Sequence, residues 1–450
     1  MSMRLIPALL AAALLAVVAG CGQSDAAGEA ASVVPENVAV YVSVDTSFEG
    51  DQWRAVSDLL AKFPDGERAL EDLLDDATAE AGLEGEANLR DALGPEVAFA
   101  VLEVPHGAGG EPPVVMLTQP DDQDAFEQLL EKGDEARAEV RGWQVVAPDE
   151  AVLDRYREAL EGPSLEDSDA FADAMDDLPG DALARLYANG EALAEAVPEL
   201  QAGLQPSPFG FAAAGAGFTV GAALRAEDDG VRVDGRVVPT GDGAVPESDA
   251  YEAELVEEVP ADAIAFVSFN DLGSALSEYG GMLGGGAGML PFDLGEVGSL
   301  LSGETAVYVR PGPTFTLVTQ VEDEAAALRT VEALVGLAGE KTPIVYEAFD
   351  GLLAVSNSRE ELAALRGDGP RLDQDDRFEQ ALDAAGMPDE TTGFGYVDVR
   401  AAAPLFLGLG APKGVEAAAA GAYLEPLGGA VFWGASSGDA QRFSLFLGID

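Results

Sequence analysis

Few residues in this chain have the types and spacing that chemistry needs. Gly434-Ala435-Ser436-Ser437-Gly438 matches the G-x-S-x-G pattern of a hydrolytic serine, which works by presenting its hydroxyl on a strand-to-helix elbow beside an imidazole base. Here the pattern falls between two strand-like runs. The only histidine, His106, sits in PHGAGGEPP, a stretch that reads as a solvated loop. No G-x-x-x-x-G-K-[ST] is present, and GGMLGGGAGML lacks the spacing and preceding strand of a dinucleotide loop. EDSDAFADAMDD and QDDRF supply carboxylates without the central glycine and closing glutamate of a calcium loop, so they read as helix caps and acidic helix faces. No cofactor, metal or catalytic residue is expected.

The clearest chemistry belongs to Cys21, the single cysteine. Arg4 precedes the uncharged run Leu5–Gly20, which is shorter than the roughly 20 apolar residues of a membrane span and ends in small residues as a processing site does. Residues 1–20 therefore read as a signal peptide. Val18-Ala19-Gly20-Cys21 resembles the bacterial lipobox, in which the thiol is lipidated and cleavage leaves the cysteine first. Residues 21–33 would then be a lipidated N-terminus and flexible tether, and the membrane, reached through that lipid on its extracytoplasmic face, is the first expected partner. An acylated Cys21 leaves no thiol for catalysis, zinc or a disulfide. The chain carries 24 Lys and Arg against 82 Asp and Glu, a net charge of −58. Such a surface repels polyanions, which argues against nucleic acid and against electrostatic docking to anionic lipid. Its plain consequence is solubility.

The elements that must position any site come in two copies. VPENVAVYVSVD, Val34 to Asp45, returns as VPADAIAFVSFN, Val259 to Asn270, displaced by 225 positions. GPEVAFAV returns as SGETAVYV, MLTQ as LVTQ, and RGWQVVAP as FDGLLAVS, in the same order. Conserved order with drift only in loop length is the mark of a repeat. Each copy reads as strand, helix, strand, strand, helix, strand, and then a closing strand pair: FTVGAALRAEDDGVRVDGRVV in the first and AVFWGASSGDAQRFSLFLG in the second. The first helix is predicted from Gln52 past Leu74. The uncharged stretch Gln201–Leu224 reads as strands because prolines and glycines interrupt it.

The expected fold is thus α+β: a tandem duplication of one unit, each an antiparallel or mixed sheet with helices packed on one face. Its front half, βαββαβ, has the ferredoxin-like order. Unit 1 spans 34–238, an acidic linker 239–258, and unit 2 259–450. Asp45 and Asn270, like Thr118-Gln119 and Thr319-Gln320, occupy equivalent strand ends, where they either face a shared cleft or mark where a strand leaves the core.

Taken together, the lipobox, VPENVAVYVSVD followed by DQWRAVSDLLAKFP, and the passages NLRDALGPEVAFAV and LGEVGSLLSGETAVYV resemble the bacterial envelope family catalogued as domain of unknown function 3352. The resemblance covers most of the chain after Cys21. It implies a fold and an envelope location, and brings no activity, cofactor or catalytic residue with it.

One stretch departs from its own repeat. Where the first copy has the charged PDGERALEDLLDDATAE, the second has YGGMLGGGAGMLPF, Tyr279 to Phe292. Its Tyr279, Met282, Leu283, Met289, Leu290 and Phe292 are the candidate contacts for an envelope protein or an apolar ligand, because apolar runs on a surface mark partners and methionine adapts to irregular shapes. The expectation is a lipid-anchored, non-enzymatic binding protein; the alternative is a carboxylate-dependent metal hydrolase. Met282→Glu together with Met289→Glu is predicted to leave the melting temperature nearly unchanged and to abolish capture of an apolar probe. Strong destabilisation with unchanged capture would instead place the segment in a core.

Overall fold

The computed structural model describes residues 28–66, 86–103, 112–130, 134–196, 217–240, 249–274, 294–312, 314–338, 344–410 and 417–450, together with Arg68, Asp72 and Thr78. The first half runs β1 (Val40–Asp45), α1 (Gly50–Leu60), α2 (Glu86–Leu93), β2 (Glu96–Val101), β3 (Val114–Thr118), α3 (Gln123–Leu129), β4 (Ala136–Val140), β5 (Trp143–Ala147), α4 (Glu150–Ala159), α5 (Asp169–Met175), β6 (Ala184–Asn189), α6 (Gly190–Ala196), β7 (Phe218–Glu227) and β8 (Gly230–Pro239). The second runs β9 (Ala265–Phe269), α7 (Leu294–Leu300), β10 (Thr305–Arg310), β11 (Thr314–Gln320), α8 (Glu324–Ala338), β12 (Val345–Phe349), β13 (Leu352–Ser356), α9 (Arg359–Arg366), α10 (Asp376–Ala384), β14 (Gly393–Asp398), α11 (Val399–Gly410), α12 (Ala417–Leu424), β15 (Leu427–Ser437) and β16 (Ala440–Ile449).

All of these strands join one 16-stranded sheet, ordered β12-β13-β11-β10-β9-β14-β15-β16-β8-β7-β6-β1-β2-β3-β5-β4. Every neighbouring pair is antiparallel. Read inward from its own edge, each half has the same strand order.

That order corrects the ferredoxin-like expectation. The ferredoxin-like order sets the third strand beside the first and keeps the second parallel to the first on the far side of the third, whereas here β1 lies directly between β2 and β6 and is antiparallel to both. The cause is the connection. The helix predicted from Gln52 past Leu74 ends at Leu60, where Lys62 and Phe63 take 3₁₀-type bonds to Leu59 and Leu60 and Pro64 bars continuation. Two helices, α1 and α2, lie between β1 and β2, and the chain re-enters the sheet at the end it left, pairing Asp45 with Glu96.

Helices also cover both faces, not one. Ala98 and Ala100 of β2 pack under α4 with Val152, Leu153 and Tyr156. Their neighbours Val97 and Phe99 point the other way, under Leu89 of α2 and Phe126 of α3. After Glu96 the strand reads VAFAV, apolar at every position, because a strand covered on both sides has no solvent face. In the second half, Leu362, Leu365 and Phe378 cover one face and Leu300, Ala327 and Val331 the other.

The predicted tether and linker are shorter than the sequence suggests. Glu29–Val33 forms a 3₁₀ turn whose Ala30, Ala31 and Val33 are buried, so the fold begins by Gly28. Likewise Tyr251 bridges Thr391, and the 3₁₀ turn Leu255–Glu257 buries Leu255. Both segments are straps laid across their half just before its first strand. In the first, Leu165 N–H donates to the Val34 carbonyl at 2.7 Å; in the second, Leu372 N–H donates to that of Val259 at 2.9 Å. Each strap is also clipped to a buried glutamate. Glu96 accepts from Gly28 N–H at 2.8 Å and Ala30 N–H at 3.4 Å. Glu304 accepts from Glu254 N–H at 2.8 Å, Leu255 N–H at 3.0 Å and the Ser268 hydroxyl at 2.7 Å. Burial raises both carboxyls above the usual range, Glu96 to about 7, against the pull of these donors.

The halves meet through β8 and β16, paired from Gln441↔Val237 to Gly448↔Gly230. Arg232 of β8 reaches across this seam. It forks onto Glu227 at 2.7 and 2.8 Å, donates to the Ala384 and Ala385 carbonyls at the end of α10, and lies 5.0 Å over the Phe446 ring. On the opposite face Ile449 packs into the cluster built by Trp53, Val56 and Leu59 of α1. Lys62 donates to the Ile449 carbonyl at 2.6 Å.

Arg232→Ala strands Glu227 and two carbonyls, and is expected to lower unfolding free energy by about 2–4 kcal/mol; Arg232→Lys, lacking the fork, should recover less than half of this in denaturant melts. The glutamate clip predicts a pH signature of unusual sign. A folded carboxyl titrating near 7, against about 4.5 unfolded, stays protonated while its unfolded counterpart ionises, so its contribution is complete below about pH 4.5 and lost as pH rises to about 7. The stability of Glu96→Gln relative to the natural chain should therefore increase by about 3 kcal/mol between pH 4.5 and 7.5. Parallel pH curves for the two proteins would show that Glu96 is not shifted.

Candidate functional site

A cleft of about 660 Å³ opens at the seam, within the range of small-ligand sites. Five elements of the second half converge on it: α10, the exit of β14, the start of α11, the entry of β15 and the end of β16. The first half adds Asp229 from the turn between β7 and β8. Its floor is apolar, formed by Ala381, Ala384, Tyr396, Leu427 and Phe446. Gly429 lets this floor form, because a Cβ there would stand 2.6 Å from that of Ala381 and 3.1 Å from the Tyr396 ring.

The rim is charged, and both of its arginines are already engaged. Arg377 contacts Asp398 at 2.6 Å and Asp375 at 3.1 Å, and Arg400 contacts Asp450 at 2.7 Å. Asp398 also accepts from the Ala401 N–H at 2.8 Å, which caps α11. Burial, reinforced by Asp398, pushes the Tyr396 phenol above its usual range. A carboxylate tied to a guanidinium and a helix N-terminus, beside a phenol held neutral, makes a binding wall and a poor general base.

A larger cleft, about 1340 Å³, lies between the second strap and the β12–β13 turn. Glu254, Glu257, Glu258, Glu322, Glu324 and Asp350 line it with Arg366 and Arg371. It is wide and more polar than the seam cleft, with Leu255, Val321, Phe349, Leu352 and Leu365 beneath the charges. Among the described residues, no three His, Cys, Asp or Glu side chains come together as a metal site would require.

Cys21, His106, and the contact residues Tyr279, Met282, Leu283, Met289, Leu290 and Phe292 lie outside the described residues. Ser436 and Ser437 sit at the hairpin between β15 and β16, away from any strand-to-helix elbow. Ser164 and Asp167 form a capping box, and Asp375 caps α10 through the Arg377 and Phe378 N–H groups. Asp45 and the β9 end beside Asn270 share no cleft: seven strand spacings separate β1 from β9, about 33 Å. The paired threonines instead lock strand ends, Thr319 bonding Thr305 at 2.8 Å and Thr118 the Glu96 carbonyl at 3.2 Å. Sequence reasoning missed the seam cleft. Its local signal is the glycine pair at 428–429 entering a strand, and the rest of its lining comes from segments spread between 377 and 450, with Asp229 of the first half at its edge.

No family model and no curated protein matches this sequence. One solved structure, "Structure of crystal form III of TP0453", aligns over 74% of this chain and 96% of its own, at 8% identity and a TM-score of 0.21. A likeness of that size carries no argument about fold or function. Among the described residues no helix is long and apolar enough to cross a membrane.

Proposed function

We propose that this chain is a lipid-anchored, extracytoplasmic protein of the bacterial cell envelope that binds a partner or an apolar ligand without transforming it, and that its halves arose by tandem duplication of one α+β unit. The observation that carries the binding reading is the seam cleft, whose apolar floor has room for a small ligand and whose rim arginines are each held by a carboxylate. Duplication is supported by the common strand order and by the two straps, each clipped to the glutamate that enters the second strand of its half. The anchor rests on Arg4, the run Leu5–Gly20 and Val18-Ala19-Gly20-Cys21, together with the resemblance in strand and helix patterns. With Cys21 acylated, the seven residue steps to Gly28 reach at most about 25 Å, which holds the sheet close to the bilayer.

Two substitutions test the reading. Cys21→Ser should move the protein out of the membrane fraction or leave an uncleaved precursor, and mass spectrometry should find an acylated Cys21 at the natural mature N-terminus. Ala401→Trp, which fills the seam cleft, should leave melting within a few degrees and remove whatever apolar molecule native mass spectrometry finds on protein purified from its own membranes. The same adduct on both proteins would sink the cleft as the site.

A further inference from the structure

The sheet ends in two edge strands, β4 and β12, and they are built differently. On β4, Arg137 and Glu139 are exposed, the usual protection of an edge against unwanted pairing. On β12, all five residues are half-buried and the one charge, Glu347, is held by Arg366 at 2.9 Å. The β12–β13 turn is the two-residue Asp350-Gly351, both at positive φ, so Phe349 and Leu352 flank it as a bonded pair. In the alternation that follows, Val345, Glu347 and Phe349 spend their N–H and C=O groups on β13, while Tyr346 and Ala348 turn theirs outward. Among the described residues no strand takes them up.

Beside this edge runs a groove of about 610 Å³ between Ile344–Glu347 and the face of α9 carrying Arg359, Leu362, Ala363 and Arg366. A free edge flanked by a helix, with a groove between them, is the arrangement in which an extended peptide adds as a strand and drops alternate side chains into the groove. Two arginines on its helix wall outweigh Glu347, which makes the groove locally positive in a chain of net charge −58. At the other end of the sheet the position matching Arg359 is Glu150, which is bonded to Arg157. We propose that the β12 edge takes up an extended, acidic segment of a partner protein as an additional strand, its carboxylates facing Arg359 and Arg366. A second copy of this chain is the poorer occupant, since it would bring a second surface of the same large negative charge into contact. A short segment does not, because charges beyond about 8 Å are screened at physiological salt.

The test uses the full mature chain at physiological salt and a fluorescein-labelled peptide of alternating valine and glutamate, with a valine–lysine peptide as control. Saturable anisotropy change is expected with the glutamate peptide and at least tenfold weaker binding with the lysine peptide. Ala348→Pro removes an outward N–H at a position an edge strand tolerates, and should abolish binding with melting unchanged. Arg359→Glu should weaken the glutamate peptide at least tenfold and improve the lysine peptide, and this variant decides the matter if Ala348→Pro fails to fold. Equal binding of both peptides, or undiminished binding by Ala348→Pro, overturns the proposal. A concentration-dependent dimer that Ala348→Pro dissolves, without peptide binding, also overturns it and gives the edge to a second copy.

Discussion

The structure depends on one edge-to-edge pairing, β8 against β16. Each half ends in a long, twisted strand pair that would leave a row of unsatisfied N–H and C=O groups if it stood alone. Joining the two last strands satisfies both rows at once and turns two eight-stranded sheets into one. Backbone pairing alone sets no unique alignment, because a slip of one residue exchanges the faces. Side chains pin it here. The Ser444 hydroxyl donates to Asp234 at 2.9 Å, Phe443 covers the bare backbone of Gly235, and Arg232 spans the seam to the end of α10.

From that pairing the cores follow. The cluster around Trp53, Val56 and Leu59 is completed by Ile449 from the far end of the chain, so one face of the seam is a shared core. On the other face the seat is looser, and the space left between α10, Tyr396 and the β16 end is the cleft. The site is built by helices and strand ends of the second half with Asp229 of the first beside them, which explains why its residues come from scattered positions without a motif. The straps work at the opposite scale. Each is a local turn held by a buried carboxylate, an arrangement that secures two backbone donors and, through burial, raises the carboxyl above its usual range.

The excess of acid shapes what remains. With so many carboxylates, nearly every structural arginine is already engaged: Arg310 with Asp262 and Glu361, Arg377 with Asp375 and Asp398, Arg371 with three backbone carbonyls. These contacts tie straps and helices to the sheet. A groove in which arginine outweighs acid is the exception, and the only such groove described lies at the edge strand that lacks outward charge.

The sequence by itself determined the elements and their repetition. Alternating apolar residues marked β1 and β9, glycine marked the hairpin turn at 141–142, and the acidic stretches EDSDAFADAMDD and QDDRF marked helix caps. These signals are local: each depends on a side chain and its near neighbours in the chain. Tertiary structure alone decided that β1 pairs with β2 and not with the third strand, that helices cover both faces, that Ala30, Ala31 and Val33 are core and not tether, and that the halves fuse edge to edge. Strand order, burial of small residues such as Ala30 and Ala31, and a cleft between distant segments are settled by which surfaces meet, and no window of neighbouring residues carries that information.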